Sequence, residues 1–257
     1  MIGRTIPGVL LVALVLTACG GGPRPQPPAP QSLSPAAVDS LWDAAIGLFR
    51  QGEWTKAAAA FDRASVQLRV GDPRQQQARF FVAETQLARG ENLQAVRGFR
   101  RVADEAVAGD SLAPDALLRA GDAYAGLWRR PELDPTYGHT ALLVYREVLD
   151  RYPGTSAARR AGLRIQELNE KFAWKEYRTA KFYQRYKAYD SAILTLRNLV
   201  AEYPRTRVAP EALLMLIGTY DRLGYVEDRQ ETCTYMRRFH AGAEGIAAAC
   251  PDSAGAP

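Results

Sequence analysis

Cysteine and histidine are scarce in this chain, with three of the first and two of the second among 257 residues. That excludes a disulfide-stapled scaffold and a Cys/His zinc cluster. The alternating Val/Ile/Thr runs that make strands are missing as well, so an all-α class is expected. No HExxH, GxSxG or GxxxxGKS pattern and no convergent carboxylate motif occurs, which leaves catalysis without support and no cofactor expected. His139, expected in a loop, and His240, near the end of the last helix, read as capping or packing groups. Lysine is rare, five against 28 arginines, but the basic residues are interleaved with acids, and a solvated surface explains them better than nucleic acid does. What is present is 47% hydrophobic, 9% aromatic and 24% charged residues. This is the balance of a soluble globular protein with a sizeable core, arranged as one elongated domain or two compact ones.

The first residues read as a targeting segment. Arg4 is followed by the apolar run Val9-Leu10-Leu11-Val12-Ala13-Leu14-Val15-Leu16, a signal-peptide core too short to span a bilayer. Leu16-Thr17-Ala18-Cys19-Gly20 then places small residues before a cysteine, in the manner of a bacterial lipobox. Cleavage before Cys19 and acylation of its thiol and new amino terminus would anchor the chain in a membrane, each buried methylene contributing about 0.8 kcal/mol. Gly20, where aspartate would signal retention, favours the outer membrane. Loss of residues 1–18 removes only Arg4 from a formal charge of +5. Residues 19–34 hold the acylated cysteine and a Gly/Pro-rich tether without apolar periodicity. In polyproline II at about 3.1 Å per residue such a tether reaches roughly 45 Å.

From Pro35 the apolar residues recur at spacings of three and four, and Ser34-Pro35 and Asp72-Pro73 read as an N-cap followed by a first-turn proline. The block Gly52-Glu53-Trp54-Thr55-Lys56-Ala57, with Phe61 and Ala64, has the centre of a tetratricopeptide repeat. There a small residue lets two antiparallel helices approach and an aromatic fills the gap. Gly90, Ala95 and Phe99 repeat the register. Gly121, Tyr124, Ala141 and Tyr145 form a third unit, and Tyr183, Tyr189, Ala192 and Leu196 a fourth. Tyr220, Gly224, Cys233 and Met236 form a degenerate fifth. The anchors Ala57, Ala95, Ala141 and Ala192 lie 38, 46 and 51 residues apart, so the repeat carries insertions. One is a loop from Trp128 to His139, and another is a single long helix over 157–187. The expected architecture is a solenoid of about five helix pairs over 35–245, with a tail over 246–257.

Leu149-Asp150-Arg151-Tyr152-Pro153-Gly154-Thr155 and Val200-Ala201-Glu202-Tyr203-Pro204-Arg205-Thr206 are Tyr-Pro helix endings. Between them lie Tyr177, Tyr183 and Tyr189. With Leu133-Asp134-Pro135 and Tyr220-(x2)-Leu223-Gly224, the chain resembles the YfiO-like, or BamD, family of outer-membrane lipoproteins. The likeness is most specific from Leu133 to Gly224. The resemblance implies a lipid-anchored periplasmic component of the β-barrel assembly machine that contacts the POTRA domains of BamA and the other assembly lipoproteins. It also implies capture of unfolded outer-membrane barrel proteins. A Tol-Pal-associated coordinator of envelope constriction shares the Tyr-Pro signature but runs regular repeats after a coiled coil. A peptidoglycan-acting lipoprotein is the enzymatic alternative.

Several residues become candidates for partner binding. Lys171, Lys175, Arg178, Lys181 and Arg185 recur at three and four spacings along the long helix, a basic stripe suited equally to solvent or to an acidic partner such as BamA. Arg197 lies near the place where the family sets a partner-facing arginine, although Thr195 holds the aligned position. The repeat register puts Trp42, Ile46, Phe49, Phe80, Leu87 and Leu118 on the groove side of repeats one to three, and Trp174, Tyr177, Lys181 and Arg185 on that of repeat four. Trp42, Phe49 and Phe80 would capture aromatic-rich substrate segments if exposed, and would be inter-repeat core if not. Cys233 and Cys250 remain as a pair, open to a disulfide or to two free thiols.

Overall fold

In a computed structural model the described residues are 33–106 and 111–251. Cys19, the signal segment and nearly all of the tether lie outside them. Helix α1 (Pro35–Arg50) begins as its sequence signal requires: the Ser34 hydroxyl accepts the Ala37 N–H at 3.3 Å and Pro35 occupies the first turn. Helix α2 (Trp54–Gln67) follows, then α3 (Arg74–Ala88). The start of α3 is one residue later than the Asp72-Pro73 signal implies, because the Asp72 carboxylate accepts the Arg74 N–H at 2.9 Å and Pro73 becomes the cap. Helices α4 (Asn92–Asp104), α5 (Leu112–Leu127) and α6 (Thr136–Arg151) complete three pairs. Helix α7 (Ser156–Arg185) is the long one at 30 residues, capped by Thr155, whose hydroxyl accepts the Ala158 N–H at 3.1 Å. It pairs with α8 (Tyr189–Glu202), and α9 (Ala209–Leu223) pairs with α10 (Val226–Phe239).

Each helix packs on the next, and the first helices of successive pairs also touch, α3 with α5 and α5 with α7. Among the described residues there is no strand, and the fold is an all-α solenoid of five tetratricopeptide-like pairs. The anchor alanines and the residues four further on explain the stacking. Ala57 and Phe61, Ala95 and Phe99, Ala141 and Tyr145, and Ala192 and Leu196 are all at most 1% exposed. One turn separates the members of each pair, so both face the partner helix. Burying each large side chain stabilises the fold by about 1.5–3 kcal/mol, an upper estimate given a partly compact unfolded chain.

The Tyr-Pro endings share one geometry. Tyr152 (φ −131°, ψ 52°) and Tyr203 (φ −124°, ψ 51°) cap α6 and α8, and their N–H groups donate to the carbonyls of Val148 and Leu199. Proline next in line cannot donate and cannot continue the helix. The hydroxyls of Thr155 and Thr206 each return a 2.8 Å hydrogen bond to the tyrosine carbonyl, closing the turn.

The inserted loop is shorter than its sequence implies. Asp134 accepts both the N–H of Thr136 at 3.1 Å and its hydroxyl at 2.8 Å, so α6 starts at once after Pro135. His139 is therefore helical, its N–H bonded to the Pro135 carbonyl, and its ring stacks on Phe172 at 4.4 Å. At the other end, a short helix α11 (Ile246–Ala249) packs on α9 and α10, and Cys250 is disulfide-bonded to Cys233 with the Cα atoms 5.6 Å apart. The two sulfurs join Leu213, Ile217 and Met236 in a separate apolar cluster.

Candidate partner-docking surfaces

The basic stripe on α7 divides into two halves with different work. Lys171 donates to the carbonyl of Trp128 and lies 4.5 Å from the centroid of its ring, and burial pushes its pKa below the ordinary lysine value. Lys175 reaches the Leu133 carbonyl at 3.4 Å, and Arg178 pairs with Glu132. These three cations hold residues 128–135 against the long helix. Trp128 is the plug of that loop, 1% exposed, stacked 4.6 Å from Phe172, with its indole N–H donated to the Leu133 carbonyl at 3.3 Å. Sequence spacing showed the stripe but not the clamp, since the loop carbonyls that satisfy it carry no sequence signature.

Lys181 and Arg185, one and two turns further on, are exposed. Trp174 is 42% exposed, whereas Tyr177 is buried at 8%, lying under Lys181 at 5.6 Å and beside Trp174. Burial, then the charge and hydrogen bond of Glu211, raise the Tyr177 pKa above the ordinary value, so its hydroxyl stays protonated. Trp174, Arg178, Lys181 and Arg185 line a cleft of about 720 Å³ that Arg222 of α9 closes from the other side.

Arg197 of α8 borders a second cleft, of about 370 Å³, between α8, α9 and α10. Val200, Leu213 and Leu216 form its apolar floor, and Asp228 and Glu231 face Arg197 from α10. Arg197 hydrogen-bonds Tyr220, whose pKa is raised chiefly by burial.

The amino-terminal aromatics stand in a different setting. Trp42, Phe49 and Phe80 are half-buried, not an open strip. Trp42 packs edge-on to Phe61 at 5.4 Å, Phe49 lies 5.1 Å from Phe81, and Phe80 lies 5.4 Å from Phe99. Ile46 and Leu87 pack against the same clusters and Leu118 is buried. Trp42 and Phe49 both reach Phe81 of the next pair, at 6.4 and 5.1 Å, whereas Phe61 and Phe99 are partners within the first and second pairs, so the three rings are held by packing both within and between pairs.

Across the first helices runs instead a ladder of charge. Arg119 of α5 pairs with Glu84 of α3 at 2.5 Å and with Asp122 at 3.0 Å, and Arg164 of α7 pairs with Asp122 at 3.2 Å and Glu167 at 2.9 Å. The Tyr145 hydroxyl donates to Asp122 at 2.8 Å, and burial, followed by that carboxylate's charge, drives its pKa well up. The only sequence signal for this ladder is acid and base at matching heights of successive first helices. Among the described residues no group of three His, Cys, Asp or Glu is placed to hold a metal, and no helix is long and apolar enough to cross a membrane.

Stacked helix pairs, an inter-repeat ion ladder and two clefts at the carboxy-terminal end define a helical-repeat scaffold. The profile of a family described as YfiO, outer membrane lipoprotein, matches residues 35–235, and the chain belongs to that family. It is 30% identical over 108 residues to the outer membrane protein assembly factor BamD of Vibrio cholerae, an alignment covering 42% of this chain and 45% of that one. It is 32% identical over 88 residues to that of Caulobacter vibrioides, covering 34% and 29%. The chain thus aligns with less than half the length of these relatives. Among solved structures it is similar to a yeast TPR2AB-domain:pHSP90 complex, at 11% identity and TM-score 0.45 over 84% of this chain and 82% of that one. It is also similar to a thermophilic TPR protein of Thermus thermophilus, at 17% identity and TM-score 0.37 over 82% and 95%.

Proposed function

We propose that this chain is an outer-membrane-anchored periplasmic scaffold of the β-barrel assembly machinery, binding the POTRA domains of BamA, the companion lipoproteins and unfolded barrel substrates. The observation that carries the reading is the family match over 35–235, which runs from the start of α1 into α10, the second helix of the fifth pair. Relatives named as outer membrane protein assembly factors support it. Acylation at Cys19 supplies the anchor, and the tether over 19–34 sets the distance from the membrane. The BamA-facing surface is the carboxy-terminal half, where Arg197 stands over an apolar trough. Unfolded substrates are taken up by the face that the first helices form.

The test is affinity purification of the full chain from detergent-solubilised outer membrane, with mass spectrometry of what it retains. BamA should be recovered with the wild type and lost with Arg197→Glu. Its absence from the wild-type eluate would refute the assignment. The anchor has its own check: Cys19→Ala should leave the membrane fraction.

A further inference from the structure

The carboxy-terminal end of α7 presents two cations, Lys181 and Arg185, that no acid among the described residues pairs with. The 720 Å³ cleft there is lined by Trp174, Arg178, Lys181, Phe182, Arg185 and Arg222 among others, and no carboxylate is found among the described residues lining it. Arg178 is neutralised by Glu132, but the other three cations are not paired with an acid among the described residues. Arg222 is held in place by donating to the Tyr189 hydroxyl at 3.1 Å and lying 5.6 Å over that ring, and Lys181 rests over Tyr177. Aromatic support of this kind fixes a cation without cancelling its charge, so the groups are presented and not collapsed.

Beside them the chain exposes rings. Trp174 is 42% exposed, Phe182 55% and Tyr186 67%, with Phe182 and Tyr186 4.6 Å apart. Exposed rings next to uncompensated cations, in a concavity, call for a ligand that brings both negative charge and apolar surface. A flat anionic bilayer fits less well. The cations and rings line a concavity, which an extended chain segment can enter and a flat lipid surface cannot.

We infer that this cleft docks an acidic, extended polypeptide segment carrying an aromatic residue. Its carboxylates would meet Lys181, Arg185 and Arg222, and its ring would lie against Trp174 and Phe182. The inference rests on the docking role proposed above and deepens it by naming the partner's chemistry. It also moves the contact away from Lys171, Lys175 and Arg178, which the loop already occupies.

The test uses the full chain in neutral detergent micelles and a capped, dye-labelled ten-residue peptide that alternates aspartate with tyrosine, read by fluorescence anisotropy. Binding should weaken at least tenfold in Lys181→Glu/Arg185→Glu, several-fold in Trp174→Ala, and steeply with salt. Lys181→Arg/Arg185→Lys should retain it, as should Arg63→Glu on the exposed side of α2. Circular dichroism confirms that each variant is folded. Equal affinity for the peptide with asparagine in place of aspartate, or unchanged binding by the charge-reversed variant, overturns the inference. So does failure to bind peptide while the Cys19→Ala chain binds phosphatidylglycerol vesicles through the same lysine and arginine, since the cleft would then face lipid. Normal recovery of BamA by a wild type that ignores the acidic peptide would sink this inference alone and leave the scaffold assignment standing.

Discussion

Gly121 of α5 lies against the ring of Tyr145 of α6 so closely that a Cβ on the glycine would stand 2.6 Å from Cδ1 of the tyrosine. The ring cannot retreat, because it is 1% exposed and its hydroxyl is tied to Asp122. Helix propensity alone favours alanine over glycine by about 1 kcal/mol. Overpacking of a rigid core costs about 1–3 kcal/mol. Gly121→Ala is therefore expected to destabilise the fold, and a thermal melt checks it. A stabilised variant would show that the third pair is looser than described.

Lys187 occupies a slot that glycine fills in three other repeats. Gly52, Gly90 and Gly224 stand two residues before α2, α4 and α10 with φ of 75°, 78° and 73°, and Lys187 stands two before α8 with φ of 58°. A side chain in the left-handed region costs about 1–2 kcal/mol. Lys187→Gly should raise stability by roughly 0.5–1 kcal/mol after the entropy that glycine adds to the unfolded chain. Denaturant titration measures the change, and a lower midpoint would contradict it.

The loop clamp predicts a change in protease sensitivity. Arg129 and Arg130 are exposed beside the buried Trp128, in a segment held by Lys171 and Arg178. Lys171→Met/Arg178→Met should speed tryptic cleavage at Arg129 and Arg130 several-fold, with helix content unchanged. An unaltered digestion pattern would mean that Trp128 and Lys175 secure the loop without the other two cations.

The Cys233–Cys250 bond closes a loop of sequence separation 17 and pins α11 to α9 and α10. Chain entropy assigns such a crosslink about 3 kcal/mol. Reduction, or Cys250→Ser, should lower the melting temperature and expose residues 240–251 to proteolysis, while repeats one to three keep their protection. Mass analysis after alkylation without reductant should find no free thiol at either position.

The repeat architecture was legible in the chain because its signals are local. Ala57 with Phe61 and Ala95 with Phe99 lie one helical turn apart, and the caps at Ser34-Pro35 and Tyr203-Pro204 act within a few residues. Helix α7 came within one residue at its start and two at its end, since nothing in 157–187 breaks a helix. The loop ends earlier than Trp128 to His139 because Asp134-Pro135-Thr136 is itself a helix start.

Long-range pairing decided the rest. The helices, their order and the alanine-and-aromatic pairs that stack them follow from the chain alone, because a 3.6-residue period and a proline act on their own neighbourhood. Which cations are free emerges only in the folded protein. Lys171, Lys181 and Arg185 read alike along one helix face, yet the first is held by a loop carbonyl 43 residues away and the others open onto a cleft closed by Arg222. A charge is available for binding only when no folded partner satisfies it, and that depends on groups brought near through space. The same distinction turned Trp42, Phe49 and Phe80 toward their neighbours: an apolar face at helical spacing is buried or displayed according to what packs against it, here Phe61, Phe81 and Phe99.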